Sequence, residues 1–219
     1  MCCLFGFIDY AGSLSVKQKS RLIRELSIAA EVRGTDATGV AYNTSRGLQI
    51  YKRPLAAHRL HLRIPAEAHV VMGHTRMTTQ GSAKKNFNNH PFFGRVKGKT
   101  FALAHNGVLW NDLEQRHAKH LPRTKVQTDS FIAVQLIEQQ KSLDFSSLRY
   151  TAETVEGSFS FTVLSERDDL YLIKGDNPLN IVHCPAAGVY VYASTTEILN
   201  KALARCRNWL GRGVKVDIA

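Results

Sequence analysis

Met1-Cys2-Cys3-Leu4-Phe5-Gly6-Phe7-Ile8 opens the chain, and no other eight residues say as much about it. Leu4, Phe5, Phe7 and Ile8 form an apolar run without a helical period, as in a short buried strand. A secretory signal needs basic residues before a longer apolar stretch, and here Asp9 and Gly12 interrupt at once. The mature protein is therefore expected to begin almost at its first codon. Methionine is commonly removed before a small residue such as cysteine, which leaves Cys2 at the amino terminus. An α-amine titrates near roughly 8, much closer to neutrality than a lysine. It can serve as general base for the nucleophile beside it, as in amino-terminal threonine hydrolases. Two readings stand at this point: a buried structural cysteine, or an amino-terminal nucleophile that carries its own base.

The 219 residues are enough for one large domain, and 44% hydrophobic with 21% charged residues is ordinary globular composition. No apolar stretch approaches the ~18 residues of a membrane span. Cysteines at 2, 3, 184 and 206 have neither the density of a disulfide scaffold nor a zinc spacing. A reducing cytoplasm suits them, and a nucleophilic thiol. The formal net charge of +11 favours anionic partners, an acidic protein or nucleic acid among them. The basic residues are scattered, however, and form no nucleic-acid-binding signature.

Outward from the first strand, Ser15 and Gln18 predict a capping box. The helix it starts carries Leu22, Ile23, Leu26, Ala29 and Ala30 at helical spacing up to Gly34. Strands are expected at about 39–43 and 48–53, a weak helix at 55–62, and a strand at 69–75 running into Arg76. A long polar loop follows from Met77 to about Asn89, and its length points to function. A strand at 100–105 ends at Asn106-Gly107, with a weakly amphipathic 111–120 after it. Thr128 or Asp129 is expected to cap a helix through Phe131–Ile137, and a second helix covers 143–155. Strands at 158–165, 169–174, 180–183 and 188–193, a last helix to about Cys206 and a strand at 214–218 complete the reading. Strands dominate both ends and helices pair between them, which suggests two sheets with flanking helices in one domain, 1–219.

Three glycine-bearing polar motifs stand where the chain is expected to turn: Arg33-Gly34-Thr35-Asp36-Ala37-Thr38-Gly39, Gly73-His74-Thr75-Arg76-Met77-Thr78-Thr79-Gln80-Gly81 and Ala104-His105-Asn106-Gly107. Taken singly, each reads as a structural turn. Together with Cys2, and with Asn89-His90-Pro91, Thr128-Asp129-Ser130, Glu156-Gly157-Ser158-Phe159 and Asn177-Pro178-Leu179, they make a set. From Met1 to about Leu199 the chain resembles the class II glutamine amidotransferases, most closely the glutaminase half of glucosamine-6-phosphate synthase.

That resemblance implies an α+β fold, the four-layer α/β/β/α sandwich of amino-terminal-nucleophile hydrolases with two mainly antiparallel sheets. It implies glutamine hydrolysis through a thioester on Cys2, with the Asn106 side-chain amide and the Gly107 backbone N–H as oxyanion donors. Arg76 matches the arginine that grips the substrate carboxylate, and Asp129 the acid that holds its ammonium group. Thr79 and Gly107 match pocket-lining positions, and Arg33 an arginine that helps position the nucleophile. His74, His90 and His105 read as supporting residues. Neither a cofactor nor a metal is expected.

The departures from the family pattern are Cys3 in place of glycine, Met77 in place of an aromatic residue, and Gln80 in place of histidine. Cys3 raises the prospect of altered access or of a second, oxidisable thiol. No phosphate-cradling glycine loop for an acceptor domain is seen. The ammonia acceptor is therefore expected on a separate synthase polypeptide, reached through a basic surface. The alternatives are a freestanding amidohydrolase acting on another amide, or a non-catalytic regulatory or binding domain in which Met1 is retained.

Overall fold

The structure is a computed structural model and describes residues 2–217; Met1, and with it the expectation about its removal, lies outside the described residues. Eleven strands form two sheets among the described residues. The first holds β1 (Cys3–Asp9), β2 (Ala37–Thr44), β3 (Gly47–Arg53), β4 (Val70–Arg76), β9 (Asn180–Cys184), β10 (Val189–Ala193) and β11 (Val214–Val216), in the order β11-β9-β10-β1-β4-β2-β3. The second has the order β5-β6-β7-β8, from Phe92–Val96, Lys99–Leu109, Gly157–Ser165 and Leu170–Lys174. Every strand pair is antiparallel.

The apolar run at the amino terminus becomes the central strand of the larger sheet, covered on both faces. Cys3, Phe5 and Phe7 pack under α1 (Val16–Ala29) and α5 (Thr196–Ala204), with Leu22, Ile23, Leu26, Ile198 and Leu199. Leu4 turns the other way, against Ala102, Ala104 and Leu164 of the second sheet. That sheet's outer face carries Phe101, Leu103, Phe161 and Val163 under α3 (Phe131–Gln140) and α4 (Phe145–Thr154). The layers therefore run helix, sheet, sheet, helix. Small residues, Ala41, Ala102 and Ala104, let the two sheets approach across the middle.

Local rules hold at most ends. The Ser15–Gln18 capping box forms, and Thr195 caps α5 through the Ile198 N–H. Asp9 closes β1: its carboxylate accepts from Ser13 and Leu14 N–H and pairs with buried Lys19 at 3.3 Å.

Several expectations are corrected. The helix at 55–62 shrinks to a 3₁₀ turn, Ala57–Arg59. Residues 111–120 give the short helix α2 (Asp112–Ala118). The stretch after Asn89 holds the edge strand β5, in which Phe92, Gly94 and Val96 are buried and alternate with exposed Phe93 and Arg95. Thr128 and Asp129 do not cap α3; the residue ahead of it is Ser130, and no side chain bonds its first turn. The last helix divides, α5 ending at Ala204 and α6 (Arg207–Leu210) following. Of the last strand 214–216 is formed, and Ile218 lies outside the described residues.

Candidate active site

The pleat decides which side chains meet. Along β1 even-numbered residues face the second sheet, so Cys2, one residue before the strand, takes that side while Cys3 is sealed under the helices. On β4 Val70 and Met72 face the same way, and the alternation carries His74 and Arg76 with them. The register Cys3↔Thr75 sets Cys2 across from Arg76. On β6 Ala102 and Ala104 face the first sheet, so Asn106 does too, whereas His105 points back toward α3. Three ends of strands thus open into one edge of the inter-sheet space. Gly39, Gly73 and Gly107 lie inside strands, not at turns, whereas Gly34 follows a 3₁₀ turn and Gly81 lies in the 77–89 loop. Gly107 has φ +152°, and a Cβ there would overlap the Ser158 carbonyl.

Cys2 is part-exposed, its Sγ 3.5 Å from the Met77 carbonyl oxygen, and Arg33 Nε donates to the Cys2 carbonyl at 2.9 Å. Burial pushes the Cys2 thiol up; the Met77 backbone and the Arg76 charge work against that. Cys3 corrects the expectation attached to it. It is fully buried, its thiol is pushed up to about 11 by burial, and it donates to the Leu4 carbonyl. All four cysteines are free.

Arg76 is 2% exposed. Its Nη1 donates to Asn89 Oδ1 at 2.7 Å and its Nη2 to the Gln80 and Gly81 carbonyls at 2.5 and 3.3 Å. Three of the five N–H groups of a guanidinium therefore hold the 77–89 loop, and two remain. Burial lowers the Arg76 pKa, while Cys2, Asp36 and Asp129 raise it, so these groups lie within electrostatic reach.

Asp129 is buried and its Oδ2 accepts the Leu109 N–H at 2.7 Å. Its own N–H donates to Gln80 Oε1 at 2.9 Å. Gln80 thus touches both charged residues, through its carbonyl on Arg76 and its amide on Asp129. Asn106 Nδ2 points to Ser194 Oγ at 3.5 Å, and Ser194 Oγ accepts the Leu4 N–H at 2.9 Å. Ser194 therefore ties the Asn106 strand to the strand that carries Cys2. Asn177, in its own motif, donates to the Asn106 carbonyl at 2.8 Å.

Behind this cluster three histidines are buried. His74 and His90 pack as tilted rings with centroids 4.2 Å apart, and His74 Nε2 bonds the His105 carbonyl at 2.9 Å. Burial pushes His74 down to about 3 and His105 to about 4, and His90 well below its usual value. All three are neutral, and among the described residues no group of three or more His, Cys, Asp or Glu side chains is placed to hold a metal ion. Thr79 alone stands apart, exposed on the 77–89 loop with no side-chain bond to the cluster.

Two residues of this arrangement went unread in the sequence. Ser194 lies between a strand and a helix cap and carries no local signal. Lys52, in β3, donates to the Pro91 carbonyl at 2.9 Å and bonds the Asn89 carbonyl, fixing the segment that holds Arg76. Burial first, and then Arg76, push Lys52 down to about 8.

The chain has relatives among known proteins. A profile of the glutamine amidotransferases class-II family matches residues 17–171. The glutamine–fructose-6-phosphate aminotransferase (isomerizing) of Halalkalibacterium halodurans is 30% identical over 197 residues, 86% of this chain and 32% of that protein. The same enzyme of Bacillus thuringiensis is 32% identical over 187 residues, 82% and 30% of the two chains. The chain thus spans about a third of the length of the curated relatives it matches. Among solved structures, the allosteric regulatory enzyme of purine biosynthesis superposes with TM-score 0.73, covering 98% of this chain and 44% of that one at 18% identity. Glutamine phosphoribosylpyrophosphate amidotransferase from B. subtilis gives TM-score 0.69 with the same identity and coverage. At that identity the likeness concerns the fold, the two-sheet sandwich described above.

Proposed function

The chain belongs to the class II glutamine amidotransferases, and from that premise we propose that it hydrolyses the side-chain amide of glutamine and passes the ammonia to an acceptor synthase. The observation that carries this reading is the convergence of Cys2, Arg76, Asn106 and Asp129 at one edge of the inter-sheet space. Each has a task in acyl transfer from a zwitterionic substrate.

With Met1 removed, the Cys2 α-amine takes the thiol proton, and the thiolate attacks the amide carbon. Burial raises the thiol, so a base beside it is what makes the thiolate available. The tetrahedral oxyanion is met by Asn106 Nδ2 and the Gly107 N–H, neutral donors held on a strand before the reaction begins. As the C–N bond breaks, the α-ammonium returns its proton to the departing ammonia. Water then attacks the thioester and releases glutamate. Arg33 fixes the Cys2 carbonyl and so the direction of its side chain. Arg76 meets the substrate carboxylate with its charge and one of its two remaining N–H groups, which diverge, and Asp129 receives the ammonium group. Gly107 borders the pocket through its backbone N–H, while Thr79, exposed on the 77–89 loop, makes no side-chain bond to the cluster.

The relatives' printed name describes transfer from glutamine to fructose 6-phosphate by proteins about three times as long. We propose for this chain the glutaminase step, with the acceptor reaction on a separate synthase subunit in the cytoplasm. The formal net charge of +11 suits an acidic docking face on that subunit. Hydroxylamine intercepts thioesters, so glutamine plus hydroxylamine should give γ-glutamyl hydroxamate at the expense of glutamate. Glutamate release with no hydroxamate formed would overturn the covalent step.

A further inference from the structure

Two of the site's motifs, His105-Asn106-Gly107 on β6 and Thr128-Asp129-Ser130 ahead of α3, are joined by a chain of hydrogen bonds that the mechanism above leaves unused. His105 Nδ1 lies 2.7 Å from Ser130 Oγ, and Ser130 Oγ donates to Asp129 Oδ1 at 3.4 Å. The other carboxylate oxygen accepts the Leu109 N–H at 2.7 Å. His105, Ser130 and Asp129 are all at least 96% buried, with exposures of 1%, 3% and 4%.

The direction of each bond follows from chemistry. An ionised carboxylate only accepts, so in the Ser130–Asp129 bond the serine is the donor. With its proton in the bond to Asp129, the Ser130 oxygen accepts from His105 in the neutral Nδ1–H tautomer, the arrangement the proposal requires. Burial supports the neutral state, pushing His105 down to about 4. Asp129 is thus held by two neutral donors, and neither cancels its charge.

Spacing gives this chain a purpose. Glutamine presents its α-ammonium group and its side-chain amide at a separation set by a few rotamers. The distance between the ammonium anchor and the oxyanion donors must match it, and small misplacements are costly. The chain ties the anchor to the strand that bears the donors, one residue before Asn106 and two after Gly107. We propose that Ser130 and His105 are positioning residues that hold the Asp129 carboxylate where it receives the substrate's α-ammonium group, a role that rests on the glutaminase reading above. Removing the serine hydroxyl leaves the carboxylate hinged on Leu109 alone.

The test measures binding, so it does not depend on turnover. Calorimetry on the Cys2→Ala chain compares glutamine with 4-carbamoylbutanoate, which lacks the α-amino group. Asp129→Asn and Ser130→Ala are each added to that background, with Ser130→Thr as the rescue and thermal melting as the control for folding. The expected result is that Asp129→Asn weakens glutamine but not the deamino compound. Ser130→Ala should do the same to a smaller extent, about five-fold, and Ser130→Thr should restore most of the loss. Should Ser130→Ala fail to unfold the chain yet weaken both ligands equally, or neither, the positioning role is overturned while the glutaminase reading stands. Should Asp129→Asn itself not discriminate, or glutamine not bind, the reading of Asp129 falls and the proposal falls with it. His105 supplies a second readout. Nitrogen NMR should show the Nδ1–H tautomer in the parent chain, and an Nε2–H tautomer there would overturn the direction of the chain.

Discussion

At the scale of single residues, the site depends on side chains that do more than one job. Arg76 is the clearest case, because its fork holds Asn89, Gln80 and Gly81 before any substrate arrives. A lysine keeps the charge but offers a point where three divergent acceptors need a plane. Arg76→Lys is therefore expected to lower kcat/KM for glutamine about 10- to 100-fold, chiefly through KM, in a steady-state assay. An unchanged KM would mean that the charge alone suffices. Gly107 makes the opposite demand, for the absence of a side chain. Its φ of +152° and the Ser158 carbonyl leave no room for a Cβ. Gly107→Ala should cost about 2–4 kcal/mol in urea unfolding, and a neutral effect would contradict the strand geometry. Residue types were legible in the sequence here: Cys2, Arg76 and Asp129 stood out by chemistry and motif. Their partners were not, because the Leu109 N–H and the Gln80 amide reach Asp129 through tertiary contact.

At the scale of elements, strand alternation does most of the sorting. It sends Cys2 and Cys3 to opposite faces of β1, which answers the concern that a second thiol would crowd the first. The same alternation sends His74 inward against the tilted ring of His90, while His105 packs from the helix side. Burial depresses all three histidines below the ordinary value of about 6.5. Above pH ~6.5 they are neutral folded or unfolded, and nothing is lost. As the pH falls toward the folded-state values, the unfolded chain binds protons that the fold refuses, so stability falls. His74 and His105 each cost about 2 kcal/mol by pH 5. Replacing His74 with Gln should therefore shrink the drop in unfolding free energy between pH 7 and pH 5, measured by urea titration, by about that much. An identical drop in parent and variant would show that His74 protonates freely in the fold. The sequence disclosed long periodic elements such as α1 well. It hid β5, a five-residue edge strand in which one of the buried positions is Gly94 and one of the exposed positions is Phe93. It also misled at Asp129, where a capping residue type spends its carboxylate on β6 instead of on α3.

At the scale of the whole molecule, one core is shared by both sheets. Leu4, Ala41, Met72 and Tyr192 of the larger sheet pack on Ala102, Ala104 and Leu164 of the smaller. Neither sheet can leave without exposing the other's inner face, so the two should unfold together. Calorimetric and van't Hoff enthalpies are expected to agree within error, and two resolved transitions would contradict a common core. Local pattern could suggest two sheets with flanking helices, but not the order of the strands. Nothing near Cys2 states that β1 will lie between β10 and β4, since its neighbours come from distant parts of the chain. The layer order was legible only through the resemblance. That central place for β1 is also what gives Cys2 its position, at the head of the strand around which the larger sheet is built. The most direct test of the account is glutamate release and intact mass measured on one sample, beside Cys2→Ala. The account predicts a chain that begins at Cys2, releases glutamate from glutamine, and loses that activity entirely in Cys2→Ala. Release at an undiminished rate from Cys2→Ala would contradict it.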